Sequence, residues 1–561
     1  MTYDNLPKDI EEFRKYVRDF AEKKVKPVAF QLDQQKEFPH EIVKEMGELG
    51  FFAIPFEEKW GGAGLTQKHY AVAVEELSRV DGGVGVIVSA HTSLGTWGLA
   101  EWGTDEQKEK YLRPLLDGTS IGGFGLTEDN AGSDSAGTQT TAVDKGDHYL
   151  LNGKKIYITN APEAQTYLVT AVTEPGKGNH GISMFIVDKD FEGFSFSAPY
   201  DKLGIRSSIT AELHFKDVKV PKENLLGELG KGFKQAMMIL DGGRIGIASQ
   251  ALGIAQGAYE SAREYALQRE QFGQAVARFQ YNQFTLAEMA TELKAARLLV
   301  YDAADKKEDH VKGYGKDAAM AKLYASDLAE DITSKALQLY GGSGFIKGVD
   351  VERFYRDSKI TQIYEGTNEI MKLVIASYIL PRPEKTATDK PKKQKSVVGE
   401  RKVEIFKGDP KESAKKLVEA LKADGYTFDN KDVAEDYSFE DADRVVSFGM
   451  GIGEEQNVEV VKELAKEAGA AVGGSRPIAE VKRYVPLDRY IGLSGQKFKG
   501  ELYIGVGISG AVQHLLGIKE VKTIVAINND ESAPFFKACD YGIVGDFHEV
   551  VPALIEEIKN A

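Results

Sequence analysis

Apolar residues recur at three- and four-residue spacing along most of the first 118 residues, and again from about 229 to 380. The first stretch shows this spacing over Glu11–Lys24 and Ala71–Val80. In the second, six apolar positions keep it over several turns, namely Phe233, Met237, Leu240, Ile247, Ala251 and Ile254. Such spacing collects apolar side chains on one face of a helix. We therefore predict two helical regions, and the stripe of six indicates a packed core.

Between these regions, from about 121 to 228, the pattern changes to that of strands. Tyr167–Val172 and Ile182–Val187 are runs of β-branched and aromatic residues. The segment Tyr149–Ile158 carries Asn152-Gly153 at its centre, which predicts a β-hairpin with its turn at this dipeptide. A β domain is thus expected between two helical ones.

The composition changes abruptly after residue 380. Pro381–Ser396 contains three prolines and five lysines and has almost nothing to bury, which predicts a linker. Beyond it, short apolar runs alternate with helical segments, which predicts an α/β domain with a parallel sheet. The runs are Arg444–Phe448, Leu502–Val506, Thr523–Ile527 and Tyr541–Val544, and the helical segments include Val458–Ala468 and Val550–Ile558. The predicted organisation is an N-terminal helical domain at 1–120, a β domain at 121–228, a second helical domain at 229–380, a linker at 381–400 and an α/β domain at 401–561.

Composition narrows the function classes. The chain has 561 residues, 42% of them hydrophobic, and a formal net charge of −15, which argues against nucleic acid or an anionic membrane as the main partner. A single cysteine, Cys539, excludes a disulfide or a cysteine-ligated cluster within the chain. The charged start Met1–Lys15 and the lack of a long apolar run predict neither a signal peptide nor a membrane span. The single cysteine fits the reducing cytosol, so a cytoplasmic protein is expected. No metal site is predicted.

One carboxylate stands out, Glu365 in Gln362–Ile370. Gly366 follows it and lets a ligand approach the backbone, and Thr367 and Asn368 are good helix N-caps before an apolar run. This arrangement indicates a base at the start of a helix. The alternative is an exposed capping glutamate.

A second candidate is the loop Phe124–Asp134. Its small residues leave backbone N–H groups free to meet a phosphate or a flavin edge, and Thr127 and Ser133 add hydroxyls. Tyr157 and Thr159 set an aromatic ring beside another hydroxyl, which suits a planar heterocycle. Taken alone, an ordinary loop and an ordinary strand face remain the alternatives.

Residues 1 to about 380 resemble the acyl-CoA dehydrogenase family, and in particular its short-chain, butyryl-CoA-type members. The motifs are those above together with Asp241–Arg244, Arg269–Gly273, Gln280 and Gln338–Gly342, in this order and at these spacings. The resemblance implies a subunit of α-helical, β-barrel and α-helical parts that binds FAD, acts on acyl-CoA and forms a homo-oligomer, usually a tetramer.

Residue by residue, the resemblance implies the following roles. Glu365 takes the place of the catalytic base; some relatives carry the base instead at the position of Gly243. The implied flavin-site positions are Phe124, Leu126, Thr127, Gly132, Ser133, Tyr157 (where tryptophan is more frequent), Ile158 and Thr159, with Thr367, Asn368 and Glu369 closing the site. Those implied to hold FAD across a subunit interface are Arg269, Phe272, Gln280, Gln338, Leu339, Tyr340, Gly341 and Gly342. Those implied to touch the acyl-CoA are Ser133, Asp241, Arg244 and Gly366.

The chemistry explains these residue types. Removing an α proton from a thioester creates an enolate, so the base must be oriented and desolvated, and donors must face the carbonyl oxygen. In this family the donors are a ribityl hydroxyl of the flavin and the amide N–H of the base. The pKa of Glu365 is therefore expected to be raised when substrate excludes water.

The last domain carries a different motif. Gly449–Glu454 suggests a dinucleotide loop, but the third glycine of that fingerprint falls on Glu454, which disfavours NAD. Residues 440 to 560 instead resemble the FAD domain of the large (α) subunit of electron-transfer flavoproteins, most specifically in Gly507–His514. The implied FAD positions are Gly449, Ser475, Arg476, Ile491, Gly492, Ser494, Ser509, Gly510, Ala511, Val512, Gln513, His514, Asn528 and Asp546, of which Arg476, Ser494 and His514 would surround the isoalloxazine. Met450 departs from the family, which usually has arginine there.

These expectations combine into an acyl-CoA dehydrogenase with a fused FAD relay domain and two FAD per chain. A partner resembling the small (β) subunit of electron-transfer flavoproteins, or another redox protein, would take the electrons. Two alternatives stay open, a subunit of an electron-bifurcating enoyl-CoA reductase complex and an acyl-CoA oxidase.

Overall fold

The computed structural model describes residues 6–380, 401–428, 439 and 442–561. The chain forms two compact units, Met1–Arg382 and Pro383–Ala561. The predicted linker at 381–400 lies outside the described residues. None of the described helices is both long and apolar enough to cross a bilayer.

The first unit begins and ends with helices, as predicted. Before the sheet they are α1 (Lys8–Phe20), α2 (Lys26–Gln35), α3 (His40–Glu48), α4 (Gln67–Ser78), α5 (Gly82–Ala90), α6 (Trp97–Trp102), α7 (Asp105–Gln107) and α8 (Arg113–Leu116). After it they are α9 (Gly232–Gln268), α10 (Gln280–Glu308), α11 (Tyr314–Tyr340), α12 (Asp350–Ser358) and α13 (Asn368–Ile379). Single π-helical turns occur at Ala21–Val25, His91–Thr96 and Lys108–Leu112.

The strands between these helices form one seven-stranded sheet, which confirms the middle β region. They are β1 (Gly122–Gly125), β2 (Thr141–Asp144), β3 (His148–Thr159), β4 (Thr166–Val172), β5 (Ile182–Asp188), β6 (Phe194–Phe196) and β7 (Thr210–Pro221). Their order is β1-β4-β2-β3-β7-β6, with β5 also paired to β4. A small hairpin, β8 (Glu270–Gln271) and β9 (Gln274–Ala275), follows α9.

The predicted hairpin at Asn152-Gly153 is wrong. Strand β3 runs without a break through both residues and pairs with β2 on one side and β7 on the other. The register against β7 shifts between Leu151 and Gly153, and a Cβ at Gly153 would lie 2.5 Å from Thr140 Oγ1. The glycine therefore serves a bulge and a close approach, and no turn.

Helix α9 is the centre of the helical core. Its predicted apolar stripe is confirmed where it packs deepest, because Ile247, Ala251 and Ile254 are fully buried. At 37 residues the helix is about 55 Å long. It therefore carries residues of the candidate site at one end and of a separate surface at the other.

The second unit is an α/β fold with an entirely parallel six-stranded sheet, as predicted. Its strands are β10 (Glu404–Lys407), β11 (Arg444–Phe448), β12 (Ala471–Gly474), β13 (Leu502–Val506), β14 (Thr523–Asn528) and β15 (Tyr541–Val544), in the order β10-β15-β14-β13-β11-β12. The helices are α14 (Pro410–Ala423), α15 (Val458–Glu467), α16 (Val512–Leu515) and α17 (Phe547–Lys559). The direction of strand order reverses between β11 and β13, where ligands bind in folds of this kind.

Candidate active site

Glu365 lies in a tight loop between a short helical turn, Lys359–Gln362, and α13. Both Glu365 (φ 52°) and Gly366 (φ 94°) have left-handed backbones. Thr367 is the N-cap of α13, and its hydroxyl accepts the Ile370 N–H at 3.4 Å, which confirms the predicted cap. The loop thus holds a glutamate in a conformation that side chains rarely adopt.

The carboxylate of Glu365 is directed inward. Its Oε2 is buried and has no hydrogen-bond partner, and it lies against Gly243 of α9. Burial raises the pKa of Glu365 to about 8, although the positive charges of Lys322 and Arg244 oppose the shift. A carboxylate that is poorly solvated and unpaired is prepared to take a proton from a ligand.

Lys322 of α11 is a site residue that the sequence reasoning missed. It is fully buried, and its Nζ donates to the carbonyl oxygen of Gly366 and to Oδ1 of Asn368, both at 2.8 Å. Burial lowers the pKa of Lys322 to about 8. The available signal is a single lysine on the helix face that otherwise carries Ala318 and Ala325.

Asp241 and Arg244, predicted to touch the acyl-CoA, form an ion pair one turn apart on α9. Arg244 is buried and its Nε has no hydrogen-bond partner. Burial raises the pKa of Asp241, while Arg244 opposes the shift. The pair leaves one buried N–H donor, Nε of Arg244, on a residue whose charge acts on Glu365.

The predicted flavin loop is buried at its start and open at its middle. Phe124 and Leu126 are buried, and the Thr127 carbonyl accepts the Ile156 N–H at 2.9 Å, which links the loop to β3. Gly132 and Ser133 are exposed, and a Cβ at Gly132 would meet nothing within 4 Å.

The side chain of Tyr157 is exposed near the end of β3. The residue has φ 60°, is 64% exposed and lies at an irregularity in the pairing with β7. Its ring centroid is 5.4 Å from that of Tyr200, whereas Ile158 next to it is buried. Thr159 ends the strand opposite Thr210. An exposed ring beside hydroxyls and open backbone fits a planar heterocycle with a hydrogen-bonding edge.

A buried ion pair that the sequence reasoning also missed fixes this loop. Lys155 is fully buried, and its Nζ donates to Glu128 Oε1 at 2.7 Å and to the Leu126 carbonyl at 3.1 Å. Burial raises the pKa of Glu128, but Lys155 and hydrogen bonds from Thr138 and Gln139 outweigh it and hold the pKa at about 2. The loop is therefore tied to β3 by charge.

The residues expected at a subunit interface lie at the other end of α9. Arg269 follows the last residue of this helix, about 40 Å along its axis from Gly243. Phe272 is 94% exposed at the tip of the β8–β9 hairpin, and Tyr340 stacks on Tyr265, which brings the end of α11 to the same region. The other exposed members of the set are Gln280, Gln338, Gly341 and Gly342, and Leu339 is half-buried.

In the second unit, the predicted flavin residues follow the carboxyl ends of neighbouring parallel strands. Gly449 follows β11, Ser475 and Arg476 follow β12, Ser509–His514 follow β13, Asn528 ends β14, and Asp546 comes two residues after β15. The loop of Ile491, Gly492 and Ser494 joins them because the Leu493 N–H donates to the Gln513 carbonyl at 2.7 Å. The structure thus brings the set together at one edge of the sheet.

A cavity of about 410 Å³ opens at this edge. It is lined by Gly451–Glu454, Gln456, Asn457, Asn529 and Asp546–His548. Two of these residues, Glu454 and Asp546, are acidic, and none is a lysine or arginine. Such a lining suits the hydroxyl and amine groups of a nucleoside better than a phosphate.

His514 is buried beside this edge, and its Nε2 lies 2.7 Å from the hydroxyl of Tyr503. Burial lowers the pKa of His514 to about 4, with the Ile491 carbonyl opposing the shift. Arg476 is exposed and forms an ion pair with Glu480 at 2.8 Å. The histidine is therefore neutral near pH 7, and the arginine supplies the positive charge.

Known families account for most of the chain. Residues 7–119, 123–218 and 230–380 match the families described as the N-terminal, middle and C-terminal domains of acyl-CoA dehydrogenase. Residues 438–519 match the family described as the FAD-binding domain of electron transfer flavoprotein.

Individual relatives agree with these matches. The short-chain-specific acyl-CoA dehydrogenase of Clostridium acetobutylicum is 52% identical over 67% of this chain and 99% of that protein. The caffeyl-CoA reductase-Etf complex subunit CarC of Acetobacterium woodii is 46% identical over 66% of this chain and 97% of that protein. The structure of butyryl-CoA dehydrogenase from Megasphaera elsdenii superposes with a TM-score of 0.66 at 48% identity, covering 68% of this chain and all of that one.

Proposed function

The chain belongs to the acyl-CoA dehydrogenase family, and on that premise we propose that it is an FAD-dependent dehydrogenase of short-chain, butyryl-CoA-like thioesters. The observation that carries this proposal is the buried, unpartnered Oε2 of Glu365, whose pKa is raised to about 8. A base of that strength suits a weakly acidic carbon. Asp241 and Arg244 would hold the pantetheine amides nearby.

In the oxidation, Oε2 of Glu365 removes a proton from Cα as that C–H bond breaks. The backbone N–H of Glu365 would donate to the thioester oxygen and stabilise the negative charge that develops there. Bound FAD supplies the acceptor for the hydride that leaves Cβ. Tyr157, Thr127 and Thr159 would flank the flavin, and the Lys155–Glu128 pair keeps their loop in place.

We call the residues expected at a subunit interface the interface set. Their position supports a homo-oligomer. Arg269 is about 40 Å from Gly243 along one helix, too far for both ends to touch one FAD molecule beside Glu365. A second copy would therefore supply Arg269, Gln280 and the end of α11 to the flavin site. A tetramer is the assembly that the family resemblance implies.

We further assign a second FAD to the α/β unit. Its support is the convergence of Arg476, Ser494 and Ser509–His514 at the carboxyl edge of the sheet and the neighbouring cavity. The acidic lining of the cavity suits the adenosine end of the cofactor. The second flavin would relay electrons from the first to a partner, such as a protein resembling the small subunit of electron-transfer flavoproteins.

Reduction of an enoyl-CoA is a second candidate direction. At neutral pH the carboxyl of Glu365 is largely protonated, so it can also donate a proton to Cα. The relative named as a reductase-Etf complex subunit is consistent with this direction.

The test is Glu365→Gln, which should keep FAD and bind butyryl-CoA but lose dye-coupled turnover by about 10³-fold or more. Glu12→Gln is the matched control, because Glu12 is an exposed glutamate on α1, far along the chain from the site residues. Activity within tenfold of wild type would refute the role of Glu365. Flavin released on denaturation should amount to two FAD per chain, and one per chain after reconstitution with excess FAD would refute the second site. An oxidase would produce peroxide in the same assay.

A further inference from the structure

Helix α11 holds the loop of Glu365 on both sides. Lys322 donates to the Gly366 carbonyl and to Asn368 Oδ1, each at 2.8 Å. Asp327 Oδ1 accepts from Nδ2 of Asn368 and from Nε2 of Gln362, each at 2.7 Å. Residues three before, one after and three after the glutamate are therefore all tied to Lys322 and Asp327, which we call the α11 clasp.

The backbone at the glutamate needs such support. A non-glycine residue at φ 52° is strained and keeps that conformation only where its surroundings determine it. Within the clasp, Lys322 is the fully buried member, whereas Asp327 is exposed. Removing the ammonium would leave the Gly366 carbonyl without this donor at the point where the backbone is left-handed.

The charge of Lys322 also faces the carboxylate. The ionisable groups around Glu365 are Lys322 on α11, Arg244 on α9, Tyr70 on α4 and Tyr364 in its own loop. Lys322 in turn faces the acidic groups of Glu365, Asp327 and Glu369 and the positive charge of Arg244. Burial opposes ionisation of Glu365, and Lys322 is the foremost group that favours it.

We propose that Lys322 is a positioning residue of the dehydrogenase reaction, which keeps Glu365 in its left-handed turn against Gly243 and supplies the positive charge that allows the carboxyl to ionise. Lys322 acts through Glu365 and does not itself touch the acyl group. The inference rests on the proposed role of Glu365 as the base.

The experiment compares Lys322→Met and Lys322→Arg with wild type and with Lys335→Met. Lys335 lies on the same helix, is half-exposed and pairs with Asp331 at 2.6 Å, so it controls for the loss of a lysine. FAD content, the Kd of butyryl-CoA and the single-turnover rate of flavin reduction are measured between pH 6 and 10. Glu365→Gln is included in parallel.

For Lys322→Met we expect normal FAD content, a Kd within about threefold, a rate about 100-fold lower and an apparent pKa at least about one unit higher. Lys322→Arg should restore the pKa and at least about tenfold of the lost rate, because it keeps the charge. A rate within about threefold of wild type, or a loss with neither a pKa shift nor rescue by arginine, overturns the proposal.

The experiment distinguishes failure of the proposed function from failure of the inference about Lys322. If Glu365→Gln remains active, the proposed function fails whatever Lys322 does; if Glu365→Gln is inactive and Lys322→Met is normal, only the present inference fails. Should Lys322→Met lose its FAD, Asp327→Ala removes the other half of the α11 clasp, which accepts from Asn368 and Gln362, and leaves the charge of Lys322. This variant should slow the reaction and leave the apparent pKa of Glu365 unchanged. An unchanged rate would show that the α11 clasp does not position the glutamate.

Discussion

The carboxylate of Glu365 occupies the space that a side chain at position 243 would need. A Cβ at Gly243 would lie 2.1 Å from Glu365 Oε2 and 2.9 Å from Leu94 Cδ2. A side chain at position 243 and the carboxylate of Glu365 therefore exclude each other in this geometry. The glycine is required by the position of the glutamate.

Gly243→Ala tests this relationship. Alanine has a higher helix propensity than glycine. Its methyl group, however, would displace the carboxylate of Glu365, whose side-chain torsions can rotate to make room. We expect kcat to fall about 10- to 100-fold with little change in the melting temperature or in FAD content. Gly137→Ala, whose Cβ would have only ordinary contacts at 3.8 Å, is the matched control, and an unaltered kcat in Gly243→Ala would contradict the contact.

The raised pKa of Glu365 predicts how activity depends on pH. Because the reactive form is the carboxylate and its pKa is about 8, kcat/KM for oxidation should rise about tenfold per pH unit from pH 6 and stop rising near pH 8, where Lys322, whose pKa is also about 8, begins to lose its charge. Dye-coupled initial rates at butyryl-CoA concentrations well below KM measure this dependence. A profile that is flat from pH 6 to 9 would show that Glu365 is ionised throughout.

The same shift has a consequence for stability. Below pH 4.5 Glu365 is protonated in both the folded and the unfolded protein; from there to pH 8 it ionises only when the protein unfolds. Its contribution to stability is thus present at low pH and is lost as pH rises through the folded pKa. Glu365→Gln should therefore raise the melting temperature more at pH 8 than at pH 5, and an equal change at both values would contradict the burial of the charge.

Periodicity predicted the two helical regions, two helices of the second unit (α15 and α17) and four of its parallel strands, because those segments are long or mostly apolar. It missed β10, where only Ile405 and Phe406 are apolar, and β12, whose four residues include two glycines. Asn152-Gly153 was misassigned because a glycine needed for a bulge has the same sequence signature as one needed for a turn. Only the pairing partners on both sides of β3 decide between the two.

The candidate site divides in a similar way. Glu365, Asp241 and Arg244 could be selected from local motifs and the family resemblance. Lys322 and Lys155 could not, because each acts across a gap in sequence, over 44 residues to Gly366 and 27 residues to Glu128. The signal available in the sequence is a lysine among alanines on one helix face or within a predicted strand. Such a lysine would be buried, and a buried charge requires a partner.

The interface set predicts that flavin sites are shared between copies of the chain. Arg269→Ala should lose FAD from the dehydrogenase site, and Glu365→Gln should keep FAD without turnover. When both variants are coexpressed, mixed oligomers contain sites with Glu365 from one copy and Arg269 from the other. We expect about a quarter to half of the wild-type activity to return in purified mixed oligomers, because a symmetric interface places the residues of one copy beside the site of the next. No recovery would place both residues in one chain's site.

The midpoint potential of the second flavin should shift in opposite directions when Arg476 and Glu480 are neutralised one at a time. Arg476 is exposed and is held by Glu480 at 2.8 Å, so its positive charge is partly neutralised. A cation near the isoalloxazine stabilises the anionic reduced cofactor. Arg476→Ala should therefore lower the midpoint potential of this flavin and Glu480→Gln should raise it, each by on the order of tens of mV.

Potentiometric titration of the full-length protein, followed by absorbance, measures both shifts, and the potential of the first flavin serves as an internal reference. Lys499→Ala is the matched control, because Lys499 is an exposed cation in the same unit that pairs with Glu520 at 2.9 Å and lies outside the proposed flavin set. Shifts of the same sign in Arg476→Ala and Glu480→Gln, or a comparable shift in Lys499→Ala, would mean that Arg476 does not face the flavin.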